Sequence, residues 1–403
     1  DQLAAATAIL KAATRPLIIA GGGVHYSLAE QALSDFAARH QVPIMESVAG
    51  KSSVTASDPM FAGPIGVFCE PAAQPIAWEP DVVLAVGTRL QDFTTESGTV
   101  FKDPEVKLIS LNVGRFDSLK RSGTPLVGDA RETLLELSAE LGDWTGPAEW
   151  VSRARHALVE QNAVIDTRQA PSDRGLPTYA QVVGAVNRAT EPHDYVVTSS
   201  GGLAGEMVMN WRAAAPATFD LEYGFSCMGY EISGGWGAAM ERAASDPEAR
   251  VYAMAGDGSF MMLPMDVYSA ALTEQNLHLV VCDNGGFNVI ERLQLGHGAA
   301  SFKTMLADDD HPKPPQIDFA AIAAGMGAIA HRPATLSEFE QLIRSNRTQP
   351  GVHVYVIDVA LHQWSGGGSF WEVGVPEVSD RPAVDAARAE LDAGKANQRM
   401  IWH

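Results

Sequence analysis

Two glycine-bearing segments, each at the end of an apolar run, constrain the fold of this chain more than any other feature. Gly256–Ser259, with the sequence Gly-Asp-Gly-Ser, follows an apolar run over 250–255, and Cys282–Gly286 ends a second such run. Residues 263–275 between them have helical spacing, with no breaker after Pro264. This order predicts a strand–helix–strand unit of a parallel sheet. The two segments then lie at the carboxyl ends of strands, where α/β sheets bind ligands.

The residue types in these segments predict a magnesium–diphosphate site. Asp257 offers a charged oxygen, Asn284 an amide oxygen and Gly286 a backbone carbonyl, which are the ligands that Mg²⁺ prefers. Gly258 lets the backbone approach an anion closely, and Ser259 opens a predicted helix whose first N–H groups favour phosphate. The alternative is an ordinary Gly-Asp-Gly turn without a ligand. The spaced asparagine and the strand before each segment favour the metal site.

Strands alternate with helices in both halves of the chain, which predicts an α/β fold with two doubly wound parallel-sheet domains. We place a first domain at 1–145, a linker with a helix at 146–177, a domain carrying the metal site at 178–380 and a tail helix at 381–403. The predicted strands are 16–20, 42–45, 81–86 and 106–111 in the first half, and 195–198, 250–255, 277–282 and 353–357 in the second.

Charge and cysteine content limit the possible partners. The net charge is −20 and the pI is about 4.9, which argues against nucleic acid or an anionic membrane surface. The three cysteines, Cys69, Cys227 and Cys282, form no Cys-x-x-Cys pair, which fits a reducing cytoplasm and excludes a disulfide framework. No apolar stretch is long enough to span a membrane. We therefore expect a cytoplasmic protein with a small-molecule partner.

The run Gly21-Gly22-Gly23 after the first predicted strand invites comparison with a dinucleotide-binding turn. The last glycine of that fingerprint would fall at Tyr26, and no clear ribose-binding acid follows. A structural strand-to-helix turn is the favoured interpretation, although a bound nucleotide stays open.

A second segment, Tyr223–Ile232, together with the metal segments, resembles the thiamine diphosphate-dependent enzymes of the acetolactate synthase and pyruvate decarboxylase superfamily. The signature of that superfamily is Gly-Asp-Gly followed, at this spacing, by Asn-Asn. Here Asp283 replaces the first asparagine, and Asn284, at the position of the family's metal ligand, is retained. The resemblance implies thiamine diphosphate and Mg²⁺ as cofactors. Flavin is held by the middle domain of some members, and we consider FAD unlikely here.

The resemblance also implies roles for individual residues. Met228 would force the cofactor into its bent shape, the Ser226 carbonyl would receive the aminopyrimidine, and Gly202 and Leu203 would donate backbone N–H groups to the diphosphate. The implied cofactor-binding residues are Gly202, Leu203, Ser226, Met228, Gly258, Ser259 and Asn284, and the implied metal ligands are Asp257, Asn284 and Gly286.

Two segments, Glu222–Glu231 and Ser369–Ser379, look like one branch of the superfamily, the trihydroxycyclohexane-1,2-dione hydrolases of myo-inositol catabolism. That branch implies hydrolysis of a carbon–carbon bond in a cyclic 1,2-diketone to give 5-deoxyglucuronate. Two alternatives stay open, an acetolactate synthase-like carboligase or decarboxylase and an inactive fragment.

A solvated loop is the favoured interpretation for His297, and three residues that could line a lid stay unassigned: Trp364, Trp371 and Glu372.

The resemblance leaves one part of the expected machinery outside the chain. In the superfamily, the glutamate that activates the cofactor belongs to an N-terminal pyrimidine-binding domain and reaches across a dimer interface. Glu206, Glu222 and Glu231 do not match its motif, so the catalytic residue is unknown. We expect a truncated, processed or split form of a longer enzyme. We also expect a homodimer or homotetramer whose active site is shared with the N-terminal domain of another subunit.

Overall fold

The computed structural model describes residues 2–308, 317–367, 369–399 and 401. It contains two six-stranded sheets in which every strand pair is parallel, with helices on both faces. The predicted fold class, two doubly wound α/β units, is confirmed.

The first sheet is built from the first third of the chain. Its strand order, β3-β2-β1-β4-β5-β6, reverses direction beside β1, as in doubly wound sheets. Its strands are β1 Pro16–Ala20, β2 Ile44–Glu46, β3 Phe61–Pro64, β4 Val82–Val86, β5 Lys107–Asn112 and β6 Thr124–Val127. Its helices are α1 Gln2–Lys11, α2 Gly23–Tyr26, α3 Glu30–His40, α4 Gln74–Trp78, α5 Asp92–Thr95, α6 Arg115–Leu119 and α7 Ala130–Leu141.

A long helix, α8 Ala148–Gln169, leads to the second sheet. The strand order there is β11-β12-β10-β9-β7-β8. Its strands are β7 Tyr195–Thr198, β8 Phe219–Leu221, β9 Val251–Gly256, β10 Leu277–Asp283, β11 Ile329–His331 and β12 Val352–Asp358. The remaining helices are α9 Tyr179–Ala189, α10 Gly201–Asn210, α11 Tyr230–Ser245, α12 Asp257–Met262, α13 Asp266–Leu272, α14 Asn288–Gly296, α15 Phe319–Gly325, α16 Leu336–Asn346 and α17 Pro382–Lys395.

Both faces of each sheet are buried, which explains why the central strands read as continuous apolar runs. Ile18 packs into the core on one face of the first sheet and its neighbour Leu17 into the core on the other. Met254 and Ala255 divide in the same way between the two faces of the second sheet. The core therefore holds the strand ends rigidly, and the loops that follow them are fixed in place.

The structure differs from the sequence prediction around Pro264. The expected single helix over 263–275 is wrong, because α12 begins directly at Asp257 and ends at Met262, and α13 begins only at Asp266. Leu263 departs from the helical conformation (φ −145°, ψ 50°), and the residue before a proline disfavours that conformation. Ser259 therefore lies inside a short helix and does not open one. The expected domain boundaries stay predictions, and the last two residues of the predicted tail helix, 402–403, lie outside the described residues.

Within the described ranges, no helix combines the length and the apolar character needed to cross a membrane.

Candidate functional site

A cavity of about 470 Å³ lies at the carboxyl ends of β7, β9 and β10. The predicted site residues that line it are spread along the chain from Gly202 to Gly286. All nine residues that the sequence singles out line this one cavity: Gly202, Leu203, Ser226, Met228, Asp257, Gly258, Ser259, Asn284 and Gly286.

Asp257 is the first residue of α12 and follows directly on β9. Its carboxylate accepts hydrogen bonds from the backbone N–H of Gly258 at 2.9 Å and of Gly286 at 2.8 Å. The second bond joins the loop after β9 to the loop after β10. Burial, with a smaller contribution from the charge of Asp283, raises the pKa of Asp257 to about 6. A buried carboxylate of this kind is stabilised by a cation, so the site suits a divalent metal.

Asn284 follows β10, and only the nitrogen of its side-chain amide is hydrogen-bonded in the described part of the chain. Its Nδ2 donates to the buried Tyr179 hydroxyl at 2.5 Å. Its Oδ1 is buried and has no hydrogen-bond partner in the described part of the chain. Since buried polar atoms are nearly always paired in folded proteins, this oxygen needs a ligand. It lines the same cavity as Asp257, and together the two oxygens fit a hard divalent cation such as Mg²⁺.

Two glycines bring the backbone close to this pair. Gly286 has φ +153°, and a Cβ there would lie 2.6 Å from the Thr304 carbonyl oxygen. A Cβ on Gly258 would lie 2.7 Å from the Phe287 ring and 3.3 Å from the terminal methyl of Met228. Any larger side chain would therefore displace the loop or the wall of the cavity. These positions require glycine for close approach.

The amino ends of two helices also line the cavity. Gly201, Gly202 and Leu203 form the first turn of α10, after the N-cap residue Ser200, and Asn288 begins α14. The first N–H groups of a helix have no partner inside it and carry partial positive charge. Two such ends beside one cation site are the arrangement that binds a phosphorylated ligand.

The comparison with known protein families agrees with this geometry. Residues 3–137 match the family model described as the thiamine pyrophosphate enzyme central domain, and residues 200–359 match the model of its C-terminal thiamine pyrophosphate-binding domain. The chain belongs to the thiamine pyrophosphate enzymes. Thiamine pyrophosphate is the same compound as thiamine diphosphate, so the family expected from the sequence is confirmed.

Several relatives of this thiamine pyrophosphate enzyme are named 3D-(3,5/4)-trihydroxycyclohexane-1,2-dione hydrolase. Those from Halalkalibacterium halodurans and Bacillus cereus are each 32% identical over 96% of this chain and 64% of their own length. The one from Listeria monocytogenes is 32% identical over 99% of this chain and 66% of its own length. The chain thus spans slightly less than two thirds of the first two relatives.

A buried carboxylate that the sequence did not assign connects the starts of three helices beside this cavity. Glu231, at the start of α11, accepts hydrogen bonds from the Ser200 N–H at 3.2 Å, the Gly229 N–H at 3.0 Å and the Ser259 hydroxyl at 2.6 Å. It is fully buried, and burial raises its pKa. The amino ends of α10 and α11 and the first turn of α12 are therefore fixed relative to one another through one side chain.

Other residues of this cavity were missed or left open by the sequence. Tyr179 and Asn288 line the cavity. Tyr179 is distant in the chain from the glycine motifs, and Asn288, although only two residues after Gly286, belongs to none of them. Trp371 also lines it and donates to Asp92 at 3.0 Å, whereas Trp364 packs against Gly202. Three of the four open residues, Trp364 among them, are not among those that line the cavity. Glu372 accepts from Gln398, and His297 donates to the Leu293 carbonyl.

A second cavity, of about 700 Å³, lies above the carboxyl edge of the first sheet of this thiamine pyrophosphate enzyme. Gly22 and Gly23 line it, as a nucleotide site would require, but so do several acidic residues. Arg89 is the only basic side chain among the described residues of its lining. An acidic wall repels the diphosphate of a flavin dinucleotide. That FAD is not bound here stays a prediction, and the acidic lining supports it. The acidic lining residues are Asp117, Asp129, Asp220 and Glu222.

Proposed function

We propose that the protein containing this chain is a thiamine diphosphate- and Mg²⁺-dependent hydrolase of a cyclic 1,2-diketone. It would convert trihydroxycyclohexane-1,2-dione to 5-deoxyglucuronate in myo-inositol degradation, in the cytoplasm. The name shared by the relatives supports the substrate, as do the branch-like segments Glu222–Glu231 and Ser369–Ser379. The observation that carries the cofactor proposal is the unpaired Asn284 oxygen beside the buried Asp257 carboxylate in one cavity.

Different residues of the cavity would bind the metal ion and the phosphate oxygens. Asp257, Asn284 and the Gly286 carbonyl hold Mg²⁺, which neutralises the diphosphate, and the first N–H groups of α10 at Gly202 and Leu203 donate to phosphate oxygens. When bound, the cofactor supplies a nucleophilic carbon and an electron sink for breaking a bond beside a carbonyl. The chain's own contribution is to orient that group and to shield it from water.

The opposite wall suits the ring part of the cofactor. Met228 reaches Gly258 and offers an apolar support beneath a bent ligand. Ser226 has a left-handed backbone conformation (φ 54°), which is unusual for serine. Such strain concentrates at functional sites, and here it supports the role of the Ser226 carbonyl as acceptor of an amino group. Phe287 closes the wall beside them.

The active site is proposed to be shared between subunits of a homodimer or homotetramer. Asp257 is the only carboxylate among the described residues of the cavity lining, and a metal ligand cannot also serve as the base that activates the cofactor. Large apolar side chains are exposed at Phe225, which lines the cavity, and after α12 at Met265, Tyr268 and Leu272. Exposed apolar clusters mark interaction surfaces. A pyrimidine-binding domain of another subunit would cover them and supply the missing carboxylate.

The test uses the purified protein that contains this chain, with thiamine diphosphate and Mg²⁺. We expect cofactor binding in calorimetric titration with a Kd in the micromolar range, roughly −8 kcal/mol. We also expect conversion of the dione to an open-chain acid, detected by mass spectrometry. Cofactor binding without acid formation would reject the substrate, and turnover of pyruvate in its place would favour the acetolactate synthase-like alternative. Absence of cofactor binding would favour the inactive fragment.

A further inference from the structure

Asn288 has an unusual position in the wall of the cofactor cavity. It is the first residue of α14, is only 2% exposed and lines the cavity. Both polar atoms of its side chain, Oδ1 and Nδ2, are buried, and neither has a hydrogen-bond partner in the described part of the chain. An unpaired buried amide costs free energy, so an amide in the cavity wall with both atoms unpaired indicates a ligand that completes it.

The direction of this side chain follows from the rest of α14. Residues at i and i+4 lie on the same face of a helix, so Asn288 shares a face with Arg292. The Arg292 guanidinium stacks over the Trp364 ring at 4.9 Å, and that ring lies against Gly202 in the first turn of α10. Asn288 therefore lies on the side of α14 that faces the amino end of α10.

The space between these two helix ends is suited to an anion. The free N–H groups at Gly202 and Leu203 and those at the start of α14 bring partial positive charge to it. An amide Nδ2 there is a neutral donor with two hydrogens, which phosphate oxygens accept.

We propose that the Asn288 side chain is a further cofactor contact, whose Nδ2 donates to the outer phosphate of the diphosphate between the amino ends of α10 and α14. This inference rests on the proposed cofactor. It assigns to Asn288 a binding role that the sequence motifs do not contain. It also explains why a buried amide is kept without a partner inside the protein.

The test measures binding of Mg²⁺ and inorganic pyrophosphate, and separately of Mg²⁺ and thiamine diphosphate, by calorimetry. Asn288→Asp keeps the shape and places a negative charge against the anion, and Asn288→Leu removes both polar atoms. We expect each variant to weaken pyrophosphate binding at least about tenfold. Asn276→Asp is the matched control. It makes the same change at the opposite edge of the sheet, where the retained oxygen still accepts from Gly351, and should leave both affinities unchanged.

Thermal unfolding without ligand separates a binding role from a structural one. Because the Asn288 side chain makes no hydrogen bond to the described residues, Asn288→Leu should melt at the same temperature as the natural chain or higher. If the natural chain binds neither pyrophosphate nor thiamine diphosphate, the proposed function fails. If it binds both and Asn288→Leu binds both equally well, the inference about Asn288 is overturned while the proposed function stands. A variant that loses affinity for thiamine diphosphate alone would also overturn it, by placing the contact on the rings.

Discussion

The Ser259 hydroxyl donates a 2.6 Å hydrogen bond to Glu231, a carboxylate with no exposed surface. Ser259 also accepts from the Gly229 N–H at 2.8 Å, and Gly229 donates to the same carboxylate at 3.0 Å. The three groups form a closed triangle between α11 and α12. Ser200, before α10, donates to the other oxygen of Glu231. A single carboxyl side chain thus sets the relative position of the helix starts that line the cavity.

This arrangement predicts that Glu231→Gln weakens cofactor binding about 10- to 100-fold, because an amide can accept at one end only and leaves donors unpaired at the other. The measurement is the Kd of thiamine diphosphate with saturating Mg²⁺. Glu241→Gln, an exposed position on the same helix, is the control and should bind as the natural chain does. Equal affinities in all three proteins would mean that the helix starts hold their places without Glu231.

Asp257→Asn should reduce affinity for Mg²⁺ with pyrophosphate by more than about 100-fold, since even outer-shell partners of metal ligands contribute 10- to 100-fold. The substitution removes the negative charge and turns an N–H donor toward the N–H of Gly258 or Gly286. Asp166→Asn makes the same change at an exposed position of α8. We expect its affinity to stay within about threefold of the natural value. Similar losses in both variants would contradict the assignment of Asp257.

Gly202→Ala should both destabilise the protein and weaken cofactor binding. The added Cβ would lie 2.5 Å from the Trp364 ring, and overpacking of this kind costs about 1–3 kcal/mol in the free energy of unfolding. Trp364→Leu in the same chain should restore part of that stability. Gly237→Ala, on an exposed face of α11 with no atom near the new Cβ, should instead stabilise by up to about 1 kcal/mol. Urea unfolding of the natural chain, the two single variants and the double variant measures each free energy of unfolding.

A buried row of rings at the amino edge of the second sheet predicts acid sensitivity. His278 stacks between Tyr252 at 4.8 Å and His353 at 5.3 Å, and one ring nitrogen hydrogen-bonds the Tyr355 hydroxyl. Burial, with the charges of nearby histidine and arginine side chains, lowers the pKa of His278 to about 3. The unfolded chain then takes up a proton near pH 6.5 that the folded chain does not.

Stability contributed by neutral His278 is therefore complete above about pH 6.5 and is lost as the pH falls toward 3, by up to about 1.4 kcal/mol per pH unit. His278→Phe keeps the stacking but cannot be protonated, so its free energy of unfolding should fall less steeply between pH 6.5 and 5. Urea midpoints at several pH values provide the comparison. The exposed His156→Gln variant should keep the natural slope, and a natural slope in His278→Phe would refute the explanation.

Much of the second sheet could be predicted because its determinants are local. The apolar runs that became β9 and β10 are buried on both faces, so hydrophobicity alone marks them, and Asp257 and Asn284 stand at their carboxyl ends. Two consecutive parallel strands place their ends at one edge, which brings those residues together without further information. The four strands that the sequence did not reveal are short edge strands, whose few residues carry little pattern: β3, β6, β8 and β11.

The sequence by itself determined the fold class, the family and the residues gathered around the cavity. Only the tertiary structure showed that Tyr179 holds Asn284 across 105 residues, that Glu231 joins the starts of three helices and that the Asn288 amide is left unpaired. The physical reason is that strand and helix patterns depend on neighbours a few residues away. The partner of a buried polar atom, in contrast, is chosen by which distant segments the packed core brings within about 3 Å of it.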